Sequence, residues 1–414
     1  MTIGAYIMTQ IGGQGSHSFK ALPGDLDCAI TEIRIEEHLD KPATFAIRFQ
    51  EDFEDGENGT FTAADLRGSK GIAIAVSSGP GHGTDGLAKV PLPPAEELVC
   101  LIRGQIENSQ ADLSPGGSGS TLEVRGRDIR TTLDRENKPQ EFSGTNTDIF
   151  KKMIDGLGDT APDIGPDVLE FPTEGASFNY LGTILDGLER LATACNYSVW
   201  LRYNLTLSTS VYDVTPKVSI KTSPERAAHS PADLNLGLTR NSKVTLRIIG
   251  SETACENVIN FSHTTDSEAI TCVSSAGDNH ETGESYNQDQ SADHDPTTED
   301  AGETNETAGA KDCERSMFVS TVGGADRVGS TAQAAANDAS WYVKASALTT
   351  VHMLGTVLRP HDLVLVHGGG CGVSGGFQVE KVTHVINAAA HWMNIELRSN
   401  SRSVSPPKEG LLGG

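Results

Sequence analysis

Apolar residues alternate with polar ones through most of this chain. Thr31, Ile33 and Ile35 alternate with polar partners, and Phe45, Ile47 and Phe49 do the same beyond Lys41-Pro42, a period of two that predicts two half-buried strands joined by a short turn. Ile72, Ile74 and Val76 predict a third strand. A loop rich in Gly and Pro, Gly79 to Pro94, then leads to Val99-Cys100-Leu101-Ile102, read as an edge strand. Ile102-Arg103-Gly104-Gln105-Ile106 and Leu122-Glu123-Val124, separated by a turn from Ser114 to Ser120, predict a hairpin. Residues 1–134 thereby read as one all-β domain.

The period changes at Thr145. Thr145 and Asp148 have capping-box spacing, and Ile149, Met153, Ile154 and Leu157 share one helical face before Gly156 and Gly158. A longer helix is predicted from near Ser177 to Asn196, its stripe formed by Leu181, Ile184, Leu185, Leu188, Leu191 and Ala192. Val199, Leu201 and Tyr203, then Leu205, Leu207 and Val211, predict a hairpin turning at Asn204. Residues 135–235 form a small α/β connector in this reading.

Strands resume at Val244-Leu246-Ile248 and Val258-Asn260 and open a second β domain, residues 236–400. From 277 to 315 the chain loses apolar content and fills with Asp, Glu, Asn, Thr and Gly, which predicts a solvated acidic insertion between two strands. A helix is expected from Thr331 to Ser346, with Ala332, Ala335, Ala339 and Val343 on one side. The stretch Leu358–Asn400 then reads as three strands, carried by Leu363 to Val366, by Phe377 to Val385 and by Trp392, Ile395 and Leu397. Residues 401–414 read as a flexible tail. Gly104-x-Ile106 with Leu122-x-Val124-Arg125 is echoed by Gly376-x-x-Val379 with Ile395-x-Leu397-Arg398, as two copies of one β unit would be.

Composition narrows the class. With 44 glycines and 5% aromatics, the chain suits a turn-rich protein, mainly β with an α+β connector, its β domains each a small barrel or sandwich. A formal net charge of -24 leaves no counterion release to drive sequence-specific nucleic-acid binding, although a passive conduit for DNA is compatible with it. The acid surplus fits a surface that keeps a particle soluble, and a high-salt habitat would give the same bias. No window approaches the roughly 18 apolar residues of a membrane span, and the N-terminus lacks a signal-peptide pattern, so synthesis in a cytoplasm is expected. Seven cysteines, with no C-x-x-C pair, argue against a zinc site and predict buried or half-buried thiols.

Candidate chemistry is sparse. Gly372-Val373-Ser374-Gly375-Gly376 matches G-x-S-x-G, but the nucleophile elbow needs a helix after the serine and a strand pattern follows here, so Ser374 is read as a turn residue. His352, His361, His367, His384 and His391 cluster in the last quarter, none paired at one helical turn; on strands they need cross-strand facing to converge on an ion. Gly12-Gly13-Gln14-Gly15 and Gly323-Gly324 lack the strand-then-helix setting of a nucleotide site. No catalytic, cofactor-binding or metal residue is assigned, and no cofactor is expected.

Three places carry a family resemblance. They are Ala29–Ile35 with Pro42–Ile47; Leu101–Ile106 through Leu122–Asp128 and Leu133-Asp134-Arg135; and Leu358–Asp362 with Ser374–Val379 and Val382–Ile386. Their order, with two helices between, resembles the baseplate hub family of phage tails and contractile injection systems, the late control D proteins and the hub half of VgrG. The resemblance implies two barrels per chain and a homotrimeric ring of pseudo-six-fold symmetry. That ring adapts the tail tube to a separate central spike protein and bounds a channel, with a tape-measure protein as a further neighbour. It implies a non-enzymatic virion component, part of a viral tail, assembled in the host cytoplasm. The acidic insertion is longer than the family pattern needs. A surface carbohydrate-binding or adhesion module and a serine hydrolase are the competing readings.

Overall fold

The computed structural model describes residues 5–13, 15–51, 66, 71–77, 98–114, 119–159, 161–165, 177–195, 197–208, 211–221, 244–250, 255–266, 270, 272–279, 283–291, 305–307, 316–322, 325–339, 341–370, 373–399 and 401–403. The loop from Gly79 to Pro94, the pair Gly323-Gly324 and residues 404–414 lie outside the described residues.

The first part is built from strands β1 (Ala5–Gln10) and β2 (Ser18–Ala21), helix α1 (Gly24–Cys28), then β3 (Ile30–His38), β4 (Thr44–Glu51), β5 (Gly71–Ser77), β6 (Leu98–Asp112) and β7 (Ser120–Asp128). They hydrogen-bond in the order β2-β1-β5-β6-β7-β4-β3, every pair antiparallel. The predicted alternation is realised: Ile33, Ile35, Ile47, Phe49, Ile72, Ile74 and Val124 form one buried cluster. Val99–Ile102 is not at an edge, because it belongs to the 15-residue strand β6 and lies between β5 and β7. Its unbroken apolar run serves two faces, with Leu101 and Ile102 in the main cluster and Cys100 in another with Met8, Phe19, Tyr212 and Val214. Glycine is required where β6 and β7 meet: a Cβ on Gly126 would fall 2.0 Å from the Gln105 carbonyl and 2.5 Å from the Phe45 ring.

The middle holds β8 (Lys138–Ser143), α2 (Asn146–Ile154), β9 (Asp163–Ile164), β10 (Ser177–Gly182), α3 (Ile184–Ala194), β11 (Ser198–Ser208) and β12 (Val211–Lys221). The capping box at Thr145 and Asp148 forms as expected. The second helix starts later than its apolar spacing suggested. Thr183 and Asp186 make a second capping box there, and the residues before it pair with β8, which puts Leu181 on a strand at 69% exposure. Asn204 is no turn either: it sits mid-strand opposite Thr215, and β11 runs on to Ser208. A second cluster, including Phe150, Leu188, Leu191, Leu201 and Ile220, fills the space between the helices and this hairpin.

The last part contains β13 (Val244–Arg247), β14 (Asn260–Thr265), β15 (Cys272–Asn279), β16 (Glu284–Ser291), β17 (Asn305–Thr307), β18 (Ser316–Val322), α4 (Ala325–Ala339), β19 (Val343–Thr350), α5 (Val351–Leu354), β20 (Leu363–His367), β21 (Gly375–Asn387), β22 (His391–Ser399) and β23 (Ser401–Ser403). A third cluster, with Leu246, Val364, Val366, Phe377, Val379, Val382 and Ile395, lies between these strands. The acidic insertion is not wholly unstructured, because β16, β15 and β18 form their own sheet and α4 packs on it through Val273 and Ala336. That helix covers Ala325–Ala339 rather than 331–346, so its buried stripe is Val328, Ala332 and Ala336, and Val343 opens β19. The tail begins ordered, since Ser401–Ser403 pairs with Asn305–Thr307 and ties the insertion to the chain's end.

The protein is mainly β. A single path of hydrogen-bonded strands, β11-β12-β2-β1-β5-β6-β7-β4-β3-β21-β22-β19-β14, passes through all three parts, with β13 and β20 branching from β21. Among the described residues this path does not close on itself. On the outer edge of β13 a side chain does the work of a strand: Asn257 Oδ1 accepts from Arg247 N at 2.7 Å and Nδ2 donates to the Thr245 carbonyl at 2.8 Å.

Candidate functional site

The two β cores are joined by one strand that changes partner. Residues Gly375–Gln378 of β21 pair with β20, and Lys381–Asn387 pair with β3, while β22 follows the other side throughout. The register against β22 shifts between Val379 and Lys381, so the switch falls on a bulge at Glu380, whose carbonyl accepts from Leu39 N at 3.0 Å. The loop before β20 is locked to the same place, with His361 N donating to the Val379 carbonyl at 3.0 Å and Val379 N to the Asp362 carbonyl at 2.9 Å. His361 takes a positive φ of 73°, a strained conformation that this double tether holds.

From that loop Arg359 enters the seam. Its Nε and Nη2 donate to Glu37 of β3 at 2.9 and 2.6 Å, and Nη1 and Nη2 donate to the carbonyls of Cys100 and Leu101 on β6 at 3.1 and 2.7 Å. Both side chains are buried, so the pair is structurally committed: removing either partner strands a charge. Burial pushes the Glu37 carboxyl up, but the Arg359 guanidinium and the His384 imidazole together outweigh it and hold the group at about 2. His384, fully buried on β21, places Nε2 3.4 Å from Glu37 and Nδ1 2.9 Å from Nε2 of His391 on β22. Burial, and then the neighbouring His384, lower the His391 imidazole to about 3.

A second layer fastens β11. Arg130 and Asp128 form a buried pair at 2.7 Å, and Arg130 also donates to the Lys41 carbonyl at 2.8 Å. Arg202 of β11 donates to the Pro360 carbonyl at 2.7 Å, and His361 lies against the Trp200 ring with centroids 4.6 Å apart. Burial, then Arg202, Arg398 and Arg130, drive the His361 imidazole well below its ordinary value. A cavity of about 20 Å³, lined by Glu37, Arg130, Arg202, Tyr203, Arg359 and His361, remains at the centre, room for about one water. The Arg359 donors are engaged by Glu37 and two carbonyls and the cavity is of water size, an arrangement suited to clamping.

The residues singled out from the sequence separate cleanly. Ser374 is 3% exposed, its hydroxyl accepts from Gly369 N at 3.1 Å, and strand β21 follows it, as a turn residue requires. Of the five histidines, His384 and His391 meet, His361 packs on Trp200, and His352 and His367 lie apart on α5 and β20. Among the described residues no three His, Cys, Asp or Glu converge as metal ligands. Cys100 and Cys195 are buried, Cys272 is half-buried, Cys28 and Cys255 are exposed, and none of these five forms a disulfide among the described residues; Cys313 and Cys371 lie outside them. No described helix is long and apolar enough to cross a membrane. The Arg359–Glu37 clamp was not singled out, although Leu358-Arg359-Pro360-His361-Asp362 is one of the stretches that carry the family resemblance.

No family model matches the sequence, and no curated protein matches it. Solved structures do. The tail protein from Neisseria meningitidis MC58 is similar over 96% of this chain and 97% of its own, with a TM-score of 0.58 at 15% identity. The 43 kDa tail protein of prophage MuSo2 from Shewanella oneidensis is similar over 96% and 98%, with a TM-score of 0.57 at 14% identity. The chain has the fold of a phage tail protein. A chain of the half-lidded Francisella PdpA-VgrG complex shares it with a TM-score of 0.51 at 8% identity, and there 96% of this chain spans 58% of the other. The resemblance read from the sequence is thus matched by the fold, tail proteins and a VgrG-containing complex alike.

Proposed function

We propose that this protein is the hub of a phage tail baseplate or of a related injection machine. Three copies form a ring that adapts the tail tube to a separate spike protein and bounds the channel. The observation that carries this reading is the end-to-end likeness to two tail proteins, 96% of this chain against 97% and 98% of theirs, which leaves no large part of either without a counterpart. Residues 1–134 and 236–400 are the two β units of this proposal, barrels completed in the assembly, and 135–235 is the connector. Residues 277–315 are an insertion and 401–414 a tail. The role is structural, not enzymatic, and its place is the virion, reached by assembly in the host cytoplasm with the tube and tape-measure proteins.

Physical chemistry agrees with a passive, rigid part. Three copies multiply a formal charge of -24, and carboxylates lining a bore would repel DNA and prevent sticking. The buried Arg359–Glu37 clamp fixes the relative position of the two β cores, which a load-bearing adaptor needs. Trp200, at 9% exposure, is not available to stack on a sugar, which counts against the adhesion reading. Light scattering on the purified chain, with and without the tube protein, tests the proposal. A trimer that forms rings with the tube protein supports it; a chain that stays monomeric and ignores the tube sinks it.

A further inference from the structure

Among the described residues, α4 covers one face of the small sheet β16-β15-β18 and nothing covers the other. Val273 and Ser275 of β15 pair in register with Met317 and Val319 of β18 and with Gln290 and Gln288 of β16, so these side chains share a side. That side carries α4: Val273 packs with Ala336, Met317 and Val319, and a Cβ on Gly329 of the helix would lie 2.9 Å from the Gln288 side-chain oxygen. The opposite side therefore holds the row Phe318, Ser274 and Asp289, with Asp278 further along β15. Phe318 is 66% exposed, and Asp278 and Asp289 are exposed too. Between them the central strand presents only Cys272, Ser274 and Ala276, small side chains that leave the face flat. None of the three strands contains a lysine or an arginine.

An exposed aromatic with one carboxylate across the sheet and a second further along its central strand, on a face whose strands carry no cation, has a definite complement. A second copy of this chain would meet it with like charge. We propose that this face docks a basic segment of another protein, an apolar side chain of which packs on Phe318 while its lysines or arginines meet Asp278 and Asp289. The proposal rests on the hub reading for where the partner is met, in the assembled particle. It gives the acidic insertion a task of its own, apart from the ring and the channel.

Hydroxyl-radical oxidation of Phe318, read by mass spectrometry in the free chain and in purified particles, tests it. Protection of at least severalfold in particles is expected. The charge-reversed variant D278K/D289K should lose that protection in particles while its free chain melts like the original. Equal oxidation of Phe318 in free chain and particle overturns the docking, as does protection that survives charge reversal. Protection that appears in the purified chain on concentration alone assigns the face to a second copy and overturns it as well. Absence of the chain from particles removes the hub reading and the docking together, an outcome distinct from a chain that is present with Phe318 unprotected.

Discussion

Arg359 and Glu37 stand 322 residues apart in the chain and 2.6 Å apart in the fold. That contact ties the last β core to the first, and the same guanidinium reinforces the tie by holding two carbonyls of β6, which is also part of the first. Removing the cation alone leaves a buried carboxylate and two carbonyls unserved. Arg359→Met is therefore expected to cost roughly 3–5 kcal/mol of unfolding free energy. The double variant Glu37→Leu, Arg359→Met, which buries no lone charge, should recover part of that loss. Urea unfolding of both variants checks this, and a double variant no better than the single one would contradict it.

The seam also dictates a response to acid. Glu37 is held at about 2 against an ordinary 4.5, so its contribution is complete above pH 4.5 and is lost as pH falls toward 2. His391, held neutral with a value of about 3 against 6.5, works earlier. Below pH 6.5 the unfolded chain takes up a proton that the folded one refuses, so stability falls as pH drops from 6.5 toward 3. His361 is shifted in the same direction. The unfolding free energy should thus decline between pH 7 and pH 5, by at most about 1.4 kcal/mol per pH unit for each such histidine, and the melting temperature with it. His391→Gln should flatten that decline, and an unchanged slope in the variant would show that the proton is taken up elsewhere.

Asn257 closes the outer edge of β13 with its side-chain amide. Asn257→Ala unpairs Arg247 N and the Thr245 carbonyl and is expected to cost about 1–3 kcal/mol, depending on how well water replaces the amide. Hydrogen exchange should show the Arg247 amide losing protection first. Loss of protection spread evenly over the chain would argue against a local clasp.

Gly126→Ala puts a methyl group 2.0 Å from a backbone carbonyl that cannot retreat without breaking the β6–β7 ladder. Soluble yield and melting temperature should both fall sharply, with about 3 kcal/mol or more of stability lost where the variant still folds. Ser374→Ala makes the useful contrast. It removes one acceptor for Gly369 N, costs about 1 kcal/mol, and leaves any esterase activity of a preparation untouched.

Local chemistry was legible where it was strictly periodic. Ile33, Ile47 and Val124 announce their strands because each faces a single core and alternates with more exposed neighbours. Leu181 misled because an apolar residue three before Ile184 fits a helical stripe, while Thr183 and Asp186, with capping-box spacing, mark the true start. Val99–Ile102 misled because its unbroken run reports burial on two faces and says nothing about the position of a strand in its sheet. The clamp was illegible for a deeper reason: Arg359, Glu37, His384 and the carbonyls of Cys100 and Leu101 are brought together by pairing between distant strands, which leaves no spacing to read. The partner switch at Glu380 is of the same kind.

That switch sets a timetable for folding. β3 emerges more than 340 residues before its partner on one side, Lys381–Asn387, so during synthesis a half-buried strand waits with an open edge for all the intervening chain to follow. Pairing across so long a loop is slow, and an unpaired edge is a template for other chains. A translation product stopped before β21 would keep that edge open permanently and should collect in aggregates, whereas a chain that includes β21 closes it.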